Sequence, residues 1–134
     1  MCFYIKENSE RLTKELKQSK TPIVAYKSLF REKLLKDGDW CYRSPIYLYY
    51  KWEKGLNISN RPVSFLYTYE KWDRCVYNGF HFYRDYKKAF NGNFNPKYGH
   101  VIVKFEIDPK DIVCVNEKEI VATQATLIEE VTED

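Results

Sequence analysis

The chain has 134 residues, 44% hydrophobic and 31% charged, with a formal net charge of +3 at pH 7. That length without a long polar spacer reads as one domain, residues 1–134, able to bury a core without disulfides or a structural metal. So small a charge, with both signs interspersed, is no electrostatic footprint for nucleic acid by itself. No apolar run approaches a membrane span.

Tyrosine dominates the aromatic residues, with 12 Tyr against 8 Phe and 3 Trp. That balance suits half-buried strands more than a helical bundle, because tyrosine buries its ring and keeps its hydroxyl wet. Cys2, Cys41, Cys75 and Cys114 are scattered, with no C-x-x-C, and the only histidines are His81 and His100. No zinc-site spacing exists, so no metal is expected. Single cysteines without a signal peptide read as a reducing, cytoplasmic setting. The first third is basic and the tail (Glu129, Glu130, Glu133, Asp134) acidic, which reads as two solvated faces.

In chain order, residues 7–20 predict a short surface helix, with Ser9 as its cap and Leu12 and Leu16 on one face. Pro22 opens a strand, PIVAYKSLF, ending at Phe30. Asp37 and Gly38 predict a reversal. CYRSPIYLYYKW is extended, with a bend or edge at Pro45. Residues 53–62 read as a loop and VSFLYTY as a strand. EKWDRCVYN reads as a single helical turn or an irregular piece. GFHFY is a strand, and Asp85 caps a short helix, DYKKAF, that Gly92 ends. After an asparagine-rich loop, HVIVKFEI is the clearest strand, with Val101, Val103, Phe105 and Ile107 on one side. DPKD turns the chain, and IVCV, EIVA and ATLIEEV follow as strands, with Cys114 in the core.

Candidate chemistry collects in the second half. Glu117 and Glu119 flank Lys118, and on a strand they would share a face. Two carboxylates so placed suit acid–base work or the orientation of a sugar hydroxyl; the commoner arrangement is two exposed turn glutamates. His81 shares a strand face with Tyr83 and could bind a ligand or shuttle a proton; a half-buried structural histidine fits the pattern equally well. Tyr26 and Lys27 lie on the first long strand, where a lysine beside a sheet cleft can hold a phosphate. Aromatic and basic residues interleave in YLYYKWEK and FHFYRDYKK, a pattern that can stack bases. No P-loop, G-x-G-x-x-G or G-x-S-x-G is present.

Two resemblances rest on these segments. GFHFYRDYKKAF, followed by VIVKFEIDPKDIVCVNEKEIVATQATLIEEV and taken with MCFYIKENSE and PIVAYKSLF, is similar to small uncharacterised phage- and prophage-encoded proteins. That implies a mobile-element origin and no particular activity. The same second half resembles the ADP-ribosyltransferase-like fold, in which a catalytic glutamate opens a strand before an aliphatic pair, here Glu119 before Ile120 and Val121. The resemblance implies NAD as cofactor, Glu119 as catalytic carboxylate with Glu117 as its partner, and Tyr83 as the aromatic stacked on nicotinamide. Tyr26 or Lys27 stands where that family has an Arg or His, and its Ser-Thr-Ser step has no counterpart here.

The expectation is therefore an α+β domain: a twisted, mostly antiparallel sheet of roughly six strands, one N-terminal helix, a short helix after GFHFY, and any cleft between the GFHFY and NEKEIVA strands. Three functions are open. The first is a small phage or mobile-element protein that binds a host protein, without a cofactor, as inhibitor or modulator. The second is an NAD-using transferase centred on Glu119. The third is a single-stranded nucleic-acid binder using Tyr47, Tyr49 and Trp52.

Overall fold

Apolar residues at every second position, bounded by Gly, Asp and Pro, make most of this chain strand. The computed structural model describes residues 3–44, 50–59, 64–67, 74–77, 79–91 and 99–131. Strand β1 (Phe3–Tyr4) precedes helix α1 (Ser9–Lys17), then β2 (Ile23–Leu34), β3 (Trp40–Arg43), β4 (Lys51–Trp52) and β5 (Gly55–Ile58). Next come β6 (Ser64–Tyr67), β7 (Arg74–Tyr77), β8 (Phe80–Tyr83) and helix α2 (Tyr86–Asn91). The chain continues through β9 (His100–Ile107), a 3-10 turn at Pro109–Asp111, β10 (Ile112–Val115), β11 (Glu119–Ala122) and β12 (Gln124–Val131).

The large sheet runs β10-β11-β8-β2-β9-β12-β5, with β3 added to β2 and β4 to β3; a second, three-stranded sheet runs β1-β7-β6. Every pairing among these strands is antiparallel. The architecture is α+β, as expected, but its described strands number twelve in two sheets. The surplus comes from short pieces that sequence pattern alone does not resolve.

Register decides which residues meet. Ala25 lies opposite Phe105, and Phe105 opposite Leu127, so all three project to one face of the sheet. Phe80, Phe82, Val103, Ile107, Ile120 and Ala122 join them in the main core. The β3–β4 ribbon adds Tyr42 and Trp52 to it, and α1 lays Leu12 and Leu16 against it. We call this the inner face. On the outer face, Val76 of the small sheet packs with Cys114 and Val121 in a second cluster.

Capping differs from expectation at α1. Asn8 is the N-cap and makes no side-chain capping bond. Ser9 begins the helix, and its Oγ accepts from the Lys6 N–H at 2.8 Å. Thr13 then ties the helix to the sheet: its Oγ donates to the Ser9 carbonyl at 2.6 Å and accepts from the Val115 N–H at 3.0 Å. At α2 the expected cap is present, with Asp85 Oδ1 accepting from the Lys88 N–H at 2.8 Å. Gly38 turns the chain between β2 and β3 with φ at +92°, a conformation that favours glycine.

Two further expectations are corrected. The loop expected over 53–62 contains β5, which pairs with β12. The segment expected to be a helical turn or irregular contains β7, the centre of the small sheet. Pro45, Tyr47, Tyr49 and Gly92 lie outside the described residues.

Candidate functional site

The outer face of the large sheet gathers three of the six candidate residues into a line. Glu119 on β11 lies opposite Tyr83 on β8, Tyr83 opposite Tyr26 on β2, and Tyr26 opposite Lys104 on β9. Directly paired residues project to the same side, and neighbouring strands lie about 4.8 Å apart, so Glu119 and Tyr26 stand about 10 Å from each other across Tyr83. Tyr86, at the start of α2, meets the Tyr26 ring edge to face at 6.2 Å between centroids, which walls one flank of the line. His81 lies two residues from Tyr83 on the same face, opposite Val121.

Glu119 is placed by the turn before it. Asn116 Oδ1 accepts from the backbone N–H groups of Lys118 and Glu119, at 2.9 and 2.7 Å. The Asn116 N–H in turn donates to the Glu119 carbonyl at 3.0 Å. This side-chain-driven turn starts β11 at Glu119 and leaves Glu117 outside the strand. Glu117 is exposed in the turn and accepts from Asn8 Nδ2 at 3.0 Å. The two glutamates therefore do not share a strand face. Nor do β8 and β11 flank a cleft: they are hydrogen-bonded neighbours through four residue pairs.

The Glu119 carboxylate is half-buried and, among the described residues, accepts no hydrogen bond and joins no ion pair. Burial pushes its pKa above the ordinary carboxylate value, against the pull of Lys27, Lys118 and the N-terminal ammonium. Tyr83 is also raised, by desolvation first and then by the Glu119 charge. The hydroxyls of Tyr26 and Tyr83 likewise make no hydrogen bond among the described residues.

Lys27 belongs to the other face. It is in step with Ala25 and Leu29, and lies opposite Val103, so it points toward the core. Strands β2 and β8 are paired only at Tyr26 and Tyr83; from Phe30 onward β2 pairs with β3 instead. Where the β8 ladder stops, Lys27 Nζ donates to the His81 carbonyl at 2.7 Å. The same ammonium sits 5.8 Å from the ring centroids of both Trp52 and Phe82, close enough for cation–π attraction. Lys27 keeps some exposed surface as a residue, yet its charged end is desolvated. Burial lowers its pKa to about 8, with Glu119 opposing from across the sheet. This lysine joins two strands; it does not open onto the line of outer-face side chains.

Trp52 is 2% exposed, with rings of Tyr50, Phe80, Phe82 and Phe105 around it. It is a core residue and offers no surface for stacking a base; Tyr47 and Tyr49 lie outside the described residues. No group of three or more His, Cys, Asp or Glu side chains converges among the described residues.

Sequence pattern missed the apolar side of this face. Leu56 on β5 lies opposite Thr126, Thr126 opposite Glu106, and Glu106 opposite Val24. This row is two residues along the strands from the Tyr26 line. Leu56, Ile58 and Val24 are 59%, 57% and 36% exposed. The signal in the sequence was the alternation Leu56–Asn57–Ile58, obscured by glycine and asparagine around it. Compared with family models, curated proteins and solved structures, the chain matches none.

Proposed function

We propose that this protein works by binding another protein, as an inhibitor or modulator, through the outer face of its large sheet. One observation carries the reading: exposed Leu56, Ile58 and Val24 share a face with the half-buried Tyr26, Tyr83 and Glu119. Aliphatic and tyrosine side chains supply interface anchors; Leu56 and Ile58 present apolar surface on β5, and Val24 lies three strands away on the same face. The likeness to phage-encoded proteins supplies a setting, in which the partner is a host protein met in the host cytoplasm. Among the described residues no helix is long and apolar enough to cross a membrane.

The test is affinity capture from host cells with the wild type and with Leu56→Asp/Ile58→Asp. These side chains are exposed, so the variant is expected to keep its melting temperature. A protein retained stoichiometrically by the wild type and lost from the variant supports the reading. Equal retention by both sinks it.

A second reading is favoured by the neighbourhood of Glu119 and Tyr83 alone. A half-buried carboxylate beside a tyrosine could orient a ribose hydroxyl while the ring stacks on nicotinamide, as an NAD-using transferase requires. Calorimetry of NAD against the wild type and Glu119→Gln decides it. Heat with nicotinamide release that the variant lacks would favour the enzyme; no heat with either protein would remove it.

A further inference from the structure

We propose that the large sheet is built to part along the line between β2 and β8, so that β8, β11 and β10 open as one unit while β2, β9 and β12 stay paired. The inference stands on the bonding within the sheet and is independent of the binding reading above.

The ladders of this sheet differ sharply in length. Strands β2 and β9 are registered through eight residue pairs, β9 and β12 through five, and β8 and β11 through four. Strands β2 and β8 share one, Tyr26 with Tyr83. The cause is a change of partner. From Phe30 onward the edge of β2 that faces β8 pairs with β3, so β2 and β8 diverge after Tyr26. Antiparallel strands cohere through ladder hydrogen bonds and cross-strand side chains, and a single pair supplies little of either.

The second link across this joint is a costly one. Lys27 Nζ donates to the His81 carbonyl at 2.7 Å, a side chain standing in for the ladder. That places an ammonium 5.8 Å from the ring centroids of both Trp52 and Phe82. A charge held in such surroundings by a carbonyl opposes the closed state. Two more polar atoms at the same place are buried without a hydrogen-bond partner among the described residues. They are Ser28 Oγ, next along β2, and Trp52 Nε1, in the ring beside Lys27. Such groups regain hydrogen bonds to water when the joint opens.

Apolar contact holds the joint shut. Phe80 meets Trp52 at 4.3 Å between centroids, and Phe82 meets Phe105 at 4.9 Å. On the outer face Tyr86 leans on Tyr26. Opening forfeits this burial, so it is a rare excursion and not fraying. Bonds within the unit decide what leaves together. Four pairs join β8 to β11, three join β11 to β10, and the Arg84 N–H donates to the Lys118 carbonyl at 2.8 Å. Opening carries Tyr83 and Glu119 away from Tyr26, so the outer-face line exists only while the joint is closed.

The test is native-state hydrogen exchange, followed residue by residue by NMR in low denaturant. Hydrogen-bonded amides of β8, β10 and β11 should exchange through one shared opening, with protection about tenfold or more below that of the β2–β9 amides. Equal protection of the two groups, or unrelated values within β8, β10 and β11, would overturn the proposal. The place of parting is checked with Tyr26→Cys/Tyr83→Cys, directly opposed residues whose spacing suits a disulfide. Oxidation should raise the protection of β8, β10 and β11 toward that of β2–β9, measured against the same variant reduced. An oxidised variant in which those amides exchange as in the reduced one would show that the sheet does not part here. If the variant fails to fold, the exchange pattern of the wild type decides alone.

Discussion

Glu119 and Glu130 carry the same carboxylate into opposite circumstances. Glu130 accepts from Arg31 through both oxygens, with Nε at 2.7 Å, and from the Tyr42 hydroxyl at 2.8 Å. Those donors hold its pKa below the ordinary value, whereas burial without donors raises that of Glu119. A raised carboxyl pKa means the folded state holds its proton more tightly than the unfolded chain, so ionised Glu119 opposes folding at neutral pH; the depressed Glu130 favours folding there. Glu119→Gln should therefore leave urea stability unchanged or slightly higher at pH 7. Glu130→Gln should lower it by about 1 kcal/mol, a modest figure because Arg31 is partly exposed. A loss at Glu119 equal to that at Glu130 would show that Glu119 has structural donors after all. The sequence carried part of this contrast. The alternation in EIVA places a glutamate at a strand start, but only the tertiary pairing of β12 with β9 brings Glu130 to Arg31 and Tyr42.

At the scale of elements, the break between β8 and β2 is the feature with the clearest physical consequence. Lys27 bridges it with a desolvated ammonium whose pKa falls to about 8. Between about pH 8 and the unfolded lysine value, the unfolded state binds more protons at this position, so stability should rise with pH through that window. The shift corresponds to something on the order of 3 kcal/mol at most. Above about pH 10 the trend should reverse, because burial raises the pKa of Tyr42, Tyr50 and Tyr83 in the fold. Denaturant titrations across pH 7–11 would reveal the maximum, and Lys27→Met should abolish the rising limb. A monotonic fall in both proteins would contradict the burial of Lys27. The position was partly legible, since Lys27 sits in step with Ala25 and Leu29. The interruption of the ladder was not, because it depends on where β3 displaces β8 along β2.

The β4–β5 corner shows why local composition misled. Asn57 is buried, and its side chain works in place of backbone partners. Oδ1 accepts from the Glu53 N–H and the Tyr50 hydroxyl, both at 3.1 Å, while Nδ2 donates to the carbonyls of Glu53 and Gly55 at 2.8 and 3.0 Å. An asparagine between glycine and serine reads as loop. Here it satisfies a tight corner and lets β5 pair with β12. Asn57→Ala should cost roughly 2–3 kcal/mol, since it strands buried polar groups, and thermal unfolding would measure it. A cost below about 0.5 kcal/mol, as for an ordinary surface site, would mean the corner is held by other contacts.

Over the whole molecule, the two faces of the large sheet have different covers. The inner face is closed by α1 and the β3–β4 ribbon around an aromatic core. The outer face is packed against the small sheet near Val121, while toward β5 it presents Leu56, Ile58 and Val24. The α+β class and the central strands followed from alternation in the sequence. The division of labour between faces did not, because it depends on the order β10-β11-β8-β2-β9-β12-β5, which no local pattern encodes. That order also lines up Tyr26, Tyr83 and Glu119 from three distant segments, while alternation along β2 alone puts Lys27 on the opposite face from Tyr26.

The most direct test of the proposed binding face is site-specific photocrosslinking in cells that express the protein. A photoreactive amino acid replaces Leu56 or Lys104 on the outer face, and Lys14 or Lys110 elsewhere on the surface. The proposed arrangement predicts one discrete crosslinked protein from the first two positions and none from the others. Crosslinks of equal yield from all four positions, or only from Lys14 and Lys110, would contradict it.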